Sequence, residues 1–248
     1  LNAPSGVETE LVNTNNGLGL KTKSGSVEVN TNNGSLKFYN ATGKRVLMTP
    51  EINPFRFDSI EVEGEKTMKI HQKFVLSDEA LYGLGQFYRD SIMNWRGQRR
   101  VLVQGNHHAI NPTLTSTGGW GLYWDNYSRT IFRDGKDGMS ISSLVGDEID
   151  FYVFLGENMD DIIAAYRKLT GEAPMFPKWA FGYFQSKQRY MNSEDLFSTA
   201  QKFREMQIPI DVIVQDWQYW GDDRGLWSSM KFHPAKYPDP QKTLDKLH

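Results

Sequence analysis

Two short apolar runs with a single amphipathic helix between them constrain this chain more than any other stretch. Phe181-Gly182-Tyr183-Phe184 is a short apolar run that breaks into the polar segment Gln185 to Asn192. Ser193 then offers a side-chain oxygen to the free backbone N–H groups of a helix start. Glu194 and Asp195 fall in the first turn, where the helix dipole favours acids. Leu196, Phe197, Ala200, Phe203 and Met206 recur at helical spacing as one apolar stripe. Pro209 stops that helix, and Ile210-Asp211-Val212-Ile213-Val214-Gln215 is a β-branched run too short for anything but a strand. Strand, helix, strand in this order predicts a parallel α/β arrangement.

Everything before about residue 155 has a different rhythm. Val27-Glu28-Val29 and Leu36-Lys37-Phe38-Tyr39 flank Asn33-Gly34, where glycine supplies the positive φ of a hairpin turn. Thr14-Asn15-Asn16-Gly17 repeats that turn chemistry, and Thr42-Gly43-Lys44 turns into Val46-Leu47-Met48. Met68 to Leu76 is the clearest alternating strand, and Gly121–Trp124, Thr130–Phe132 and Ile149–Phe154 are further candidates. Many short strands between Gly, Asn and Asp turns predict a β-sandwich. A helix over Met159–Leu169, begun by Asn158 and closed by Gly171, precedes Pro174 and Pro177. The change of period near residue 173 predicts two domains, 1–172 and 173–248. The last of these residues, from Pro240 to His248, open a further helix, and the start at Leu1 without Met or a leader-like stretch is expected to be missing or processed.

Composition removes several classes of function. A net charge of −2 carries no electrostatic footprint for nucleic acid or an anionic membrane. No apolar run approaches the roughly 18 residues that a membrane span needs. With no cysteine, disulfides, thiolate zinc sites and a cysteine nucleophile are excluded. The compartment stays open, with a periplasmic or secreted location favoured over the cytoplasm. Seven Trp and eleven Tyr are abundant, and flat rings with a polar edge stack on sugar faces as readily as they fill cores. Three Asn-X-Ser/Thr triplets, at Asn33, Asn40 and Asn126, fit a glycosylation pattern that is common by chance.

Between the strands lies Leu81–Tyr88 and then a long polar region, Arg89 to Gly119, which reads as a structureless loop. Gly83-Leu84-Gly85 makes no nucleotide loop, because no helix pattern follows it. His107-His108 makes a poor metal site, since adjacent histidines rarely converge and no third ligand is spaced nearby. No metal or organic cofactor is implied.

Several segments resemble glycoside hydrolase family 31 in order and spacing. They are Pro177–Gly182, Gln185-Ser186-Lys187-Gln188-Arg189-Tyr190, Ile208–Asp211, Gln215-Asp216-Trp217-Gln218-Tyr219-Trp220 and Phe232–Pro240, with Tyr82–Gln86 and Asn94-Trp95-Arg96 resembling the family's N-terminal domain. The Gln-Ser-Lys-Gln-Arg-Tyr and Gln-Asp-Trp-Gln-Tyr-Trp pair is most similar to the α-xylosidase branch. The resemblance implies a β-sandwich followed by the first units of a (β/α)8 barrel, incomplete in this chain. It implies a retaining exo-acting enzyme on oligosaccharides with a non-reducing α-linked xylose or glucose, with xyloglucan-type oligosaccharides as substrate. Two aspartates on later barrel strands cut the bond in such enzymes. No position here matches either, so this chain is expected to bind substrate without turning it over and to need the remainder of the barrel as partner.

What the resemblance carries over is binding. Asp216 matches the carboxylate that accepts hydroxyl hydrogen bonds at the end of the second barrel strand, and capping a loop or pairing with Arg224 is the plainer alternative. Trp217 and Trp220 are pocket walls or core packing. Gln185 and Lys187 face the barrel mouth or belong to a solvated loop. Asn106 stands for the sandwich loop that closes the pocket in this family. The competing reading, from another class, is a non-catalytic carbohydrate-binding module; an α-glucosidase or transglycosylase of the same family is a third.

Overall fold

The computed structural model describes residues 7–88 and 90–248. They fall into two compact units, Leu1–Ala173 and Pro174–His248. In the first, β1 (Glu10–Thr14), β2 (Gly17–Thr22), β3 (Gly25–Asn30), β4 (Leu36–Asn40) and β5 (Arg45–Met48) follow one another as an antiparallel meander. Gly34 and Gly43 sit in its turns at φ +72° and +79°, backbone that only glycine adopts freely. Gly17 is required for another reason: a Cβ there would lie 2.0 Å from the Val29 carbonyl oxygen.

The next strands are β6 (Phe55–Val62), β7 (Glu65–Phe74), β8 (Leu81–Phe87), β9 (Arg99–Leu102), β10 (His108–Ser116), β11 (Trp120–Trp124), β12 (Thr130–Gly135), β13 (Gly138–Ser143) and β14 (Phe151–Leu155). They form a five-stranded sheet, β6-β7-β13-β12-β9, and a four-stranded sheet, β14-β11-β10-β8. Every pairing is antiparallel. Alternation puts Ile70, Phe74, Phe132, Met139 and Ile141 of one sheet into a core shared with Leu84, Leu114, Trp120, Leu122 and Trp124 of the other. Two contacts join the layers directly. The Trp124 indole donates to Ser143 Oγ at 2.9 Å, and the rings of Phe74 and Phe151 meet edge to face at 5.5 Å.

The region from Arg89 to Gly119 is not a structureless loop. Arg89 lies outside the described residues, but β9 and β10 fall wholly inside the region, held by pairing with β12 and β8. Leu102 and Leu114 of these strands are buried in the core, whereas Arg99 and Asn111 are exposed. Asn94, Trp95 and Arg96 lock this region in place. Leu81 N–H donates to Asn94 Oδ1 at 3.1 Å, and the Trp95 indole donates to the Gly83 carbonyl at 2.9 Å. Arg96 Nε and Gly97 N–H both donate to Asp134 Oδ2, at 2.9 and 2.7 Å.

Gly83 and Gly85 have a structural role of their own. The register of β8 on β10 shifts between Ile110 and Leu114, and Gly83, Leu84 and Gly85 all have positive φ there. A Cβ on Gly85 would meet the Ala109 carbonyl oxygen at 2.0 Å, so this is a β-bulge in which two backbones touch. Helix α1 (Met159–Thr170) closes the unit, capped reciprocally by Asn158 and Asp161 and ended at Gly171 with φ +101°.

In the second unit, β15 (Phe184–Ser186) and β16 (Val212–Val214) pair in parallel, with α2 (Ser193–Glu205) between them in sequence and α3 (Pro240–Leu247) near the end. The expected boundaries move in three places. Lys178–Phe181 is a 3₁₀ turn, so the first strand begins at Phe184 and not at Phe181. Gly182 and Tyr183 are held by Asp211, whose carboxylate accepts from Tyr183 N–H at 3.0 Å and leaves no room for a Cβ on Gly182. The cap of α2 is Asn192, which accepts from Asp195 N–H at 2.9 Å, while the Ser193 N–H and hydroxyl both donate to the Lys236 carbonyl, at 3.1 and 3.4 Å. Finally, α2 ends before Pro209. Gln207 takes φ +58°, and Gln207 and Ile208 N–H return to the Arg204 and Phe203 carbonyls.

Candidate functional site

Because β15 and β16 are parallel, with Ser186 opposite Val214, both strands run out at the same end. Lys187 follows one strand, and Gln215, Asp216 and Trp217 follow the other. In α/β sheets this carboxyl end is where ligands bind. Asp216 is exposed and has no hydrogen bond or ion pair among the described residues, so Arg224 does not neutralise it. Lys187 reaches Asp195 Oδ1 at 3.4 Å and lies 4.4 Å from the centre of the Tyr190 ring. Gln185 Oε1 accepts from the Tyr183 hydroxyl at 2.7 Å, and its amide points to the Tyr190 hydroxyl at 3.4 Å.

The tryptophans divide by burial. Trp217 is half-buried, fixed by its N–H to the Gln188 carbonyl at 3.0 Å, with Trp227 edge-on at 4.4 Å. Trp220 is only 6% exposed and packs against Trp217, Tyr219 and Trp227. Asn106 belongs to the first unit, exposed on the tight turn between Gly105 and His108. Gln185, Lys187, Asp216, Trp217 and Trp220 all belong to the second.

Three residues outside the expected set organise this end of the strands. Tyr237, 2% exposed, sets its hydroxyl 2.7 Å from Gln215 Oε1 and 3.1 Å from the carbonyl of Tyr190, which is itself buried. Burial, with the negative charge of Asp195 second, pushes the Tyr237 phenol up to about 12. Gln215 Nε2 in turn donates to the Trp217 carbonyl at 3.2 Å. Tyr237 lies within the Phe232–Pro240 segment, but no spacing rule pairs it with a glutamine 22 residues earlier. The loop beyond is strained: Gln218, Ser228 and Met230 all have positive φ, and Gln218 Oε1, Ser229 Oγ and His233 Nδ1 are buried without a partner among the described residues. Such strain collects at ligand-binding loops. Chemically, the arrangement offers an unpaired carboxylate, an amide and an ammonium at one strand end, with an indole beside them. Those are hydrogen-bonding groups for a polyhydroxylated ligand. Among the described residues no group of three His, Cys, Asp or Glu could hold a metal ion.

Residues 173–248 match the family model described as "Glycosyl hydrolases family 31 TIM-barrel domain". An α-xylosidase of Saccharolobus solfataricus is 36% identical over 232 residues, covering 90% of this chain and 31% of that protein. Alpha-glucosidase 2 of Bacillus thermoamyloliquefaciens is 32% identical over 180 residues, covering 63% of this chain and 22% of that protein. The chain therefore spans less than a third of the length of these relatives. Among solved structures, a family 31 α-xylosidase from Xanthomonas citri superposes with TM-score 0.82 at 21% identity, over 97% of this chain and 42% of that one, which shows likeness of fold. A family 31 α-xylosidase from a soil metagenome, solved with xylose, gives TM-score 0.82 at 25% identity over 99% of this chain and 38% of that one. With a family model on the second unit and family relatives aligned through both, this chain belongs to glycoside hydrolase family 31, whose members are glycoside hydrolases.

Proposed function

We propose that this chain supplies substrate-binding residues to a retaining exo-α-glycosidase, an α-xylosidase acting on xyloglucan-type oligosaccharides. In this reading β15, α2 and β16 are the first units of a (β/α)8 barrel, preceded by a β-sandwich. The observation that carries it is the exposed, unpaired Asp216 carboxylate just past the end of β16. Asp216 accepts hydrogen bonds from hydroxyls of the non-reducing sugar, Gln185 and Lys187 meet its other hydroxyls, and the Trp217 ring flanks it. Trp220 packs edge-on against Trp217 and supports it. A charged acceptor of this kind is worth roughly 1.5–3 kcal/mol, or at least about tenfold in affinity. The 36% identity to an α-xylosidase supports the xyloside over the glucoside. Bond cleavage belongs to two aspartates that no position in this chain matches.

Calorimetric titration of the chain with xylose tests the proposal. Saturable binding that weakens at least tenfold in Asp216→Asn is expected, with no release of aryl alcohol from an aryl α-xyloside. Hydrolysis that survives Asp216→Ala overturns the assignment. Stronger binding of glucose than of xylose moves the reading to an α-glucosidase.

A second reading, a carbohydrate-binding module, draws on a hollow of about 320 Å³ in the first unit lined by Gln104, Tyr123, Asp125 and the fully exposed ring of Tyr127. There Tyr127→Ala, and not Asp216→Asn, abolishes sugar binding.

A further inference from the structure

The outer face of the sheet β6-β7-β13-β12-β9 carries a concentration of positive charge that nothing in the glycosidase reading uses. Alternation along β7 turns Ile70 and Phe74 into the core and Lys69, His71 and Lys73 outward. The antiparallel register then sets Arg56 and Ser142 on either side of His71, Ser140 beside Lys73, and Arg133 beside Ser140. The two serines of the middle strand are too small to fill the space between the longer side chains. A trough of about 400 Å³ results, with hydroxyls on its floor and cations around it.

No acid is among the residues lining the trough, and Asp58, which meets two of its members, is engaged by them. Asp58 Oδ2 lies 2.9 Å from Arg56 Nη2 and 3.0 Å from His71 Nε2. Lys69, Lys73 and Arg133 have no ion-pair partner among the described residues. Like charges gathered on one concave surface repel, and an anion placed among them relieves that repulsion. His71 is held in place by Ser142 Oγ at 2.7 Å from Nδ1. Its pKa is lowered by burial first and by the Arg56 charge second, with Lys69 adding to the effect against the pull of Asp58. An anion in the trough opposes the pull of these cations and raises it. The Phe55 ring, 43% exposed, borders the space. A flat apolar ring beside serine hydroxyls complements a sugar ring better than a bare ion.

We propose that this trough binds a monosaccharide-sized anion, a sugar carrying a carboxylate or a phosphate, with Lys73 and Arg133 holding the charge and Ser140 facing the ring. The site stands on the first unit alone and does not depend on the role of Asp216. Titration of the intact chain at low ionic strength with glucuronate and with glucose 6-phosphate tests it, with glucose and inorganic phosphate as controls. At least one charged sugar is expected to saturate, tenfold or more tighter than either control, and the tighter of the two identifies the anion. The double variant Lys73→Ala, Arg133→Ala changes only exposed side chains and is expected to weaken that binding at least tenfold. The separate Ser140→Leu change, which fills the floor, is expected to do the same. The His71 imidazole resonances, followed by NMR against pH, should titrate at higher pH in the saturated complex. The proposal is overturned by failure of both charged sugars to saturate, by a control that binds equally well, by full affinity in the double variant, or by an unmoved His71 titration.

Discussion

The Tyr237 hydroxyl lies 2.7 Å from Gln215 Oε1, tying the residue before Asp216 to the segment that leads into α3. The Tyr190 carbonyl lies 3.1 Å from the same oxygen, so one phenolic proton faces two acceptors. Tyr237→Phe removes it and leaves both acceptors in a buried place. Unfolding in urea should show a loss of about 1–3 kcal/mol. The folded protein holds the phenol near 12, above its ordinary value of 10.0. A raised pKa favours the folded state below the unfolded pKa, and that advantage is lost as pH rises through the folded one. Stability should therefore fall between about pH 10 and 12, less steeply in Tyr237→Phe than in the parent.

Asp216→Asn should leave folding untouched. Its carboxylate is exposed and makes no contact that the fold needs, and substitutions of this kind stay within about 0.5 kcal/mol. A thermal melt matching the parent, alongside weakened sugar binding, separates loss of a ligand contact from loss of structure. A clear drop in Tm would instead make Asp216 a structural residue.

Asp134 is the anchor of the segment after β8. It is 7% exposed and accepts from both the Arg96 side chain and the Gly97 backbone. Asp134→Ala removes the counter-charge of a partly buried guanidinium, which keeps the Ser77 and Glu79 carbonyls, and leaves the Gly97 N–H without its acceptor, at a cost of about 3 kcal/mol. Urea denaturation reads this directly. Asp134→Asn should recover part of the loss, since an amide oxygen still accepts from Gly97.

Gly85→Ala tests the bulge. The backbone there has φ +98°, and the added carbon would lie 2.0 Å from a carbonyl oxygen. Strain and forced separation of β8 from β10 should cost about 2 kcal/mol or more. Hydrogen exchange should show faster opening of β8 than of α1. Gly64→Ala, also at positive φ but with nothing within 4 Å, should cost less.

Local chemistry is enough to read those features whose causes lie within a few residues. Asn158 and Asp161 cap α1 across three positions, Gly171 ends it, and Gly34 and Gly43 mark turns that their own backbone requires. The alternation of β7 and the parallel order of β15, α2 and β16 follow from period alone, because side-chain direction repeats every two or 3.6 residues. Tertiary structure decided what depends on partners far along the chain. Asn192 caps α2, and the Ser193 hydroxyl turns instead to the Lys236 carbonyl, 43 residues away. The polar stretch after Arg89 became β9 and β10 because β12 and β8 offered unpaired edges. At the candidate site, the strand-end position of Asp216 follows from the apolar run before it. The Tyr237–Gln215 bond and the burial of Trp220 do not, and neither does the meeting of Lys73 with Arg133 across β13. Each needs a register or a packing partner, which exists only once distant segments have come together.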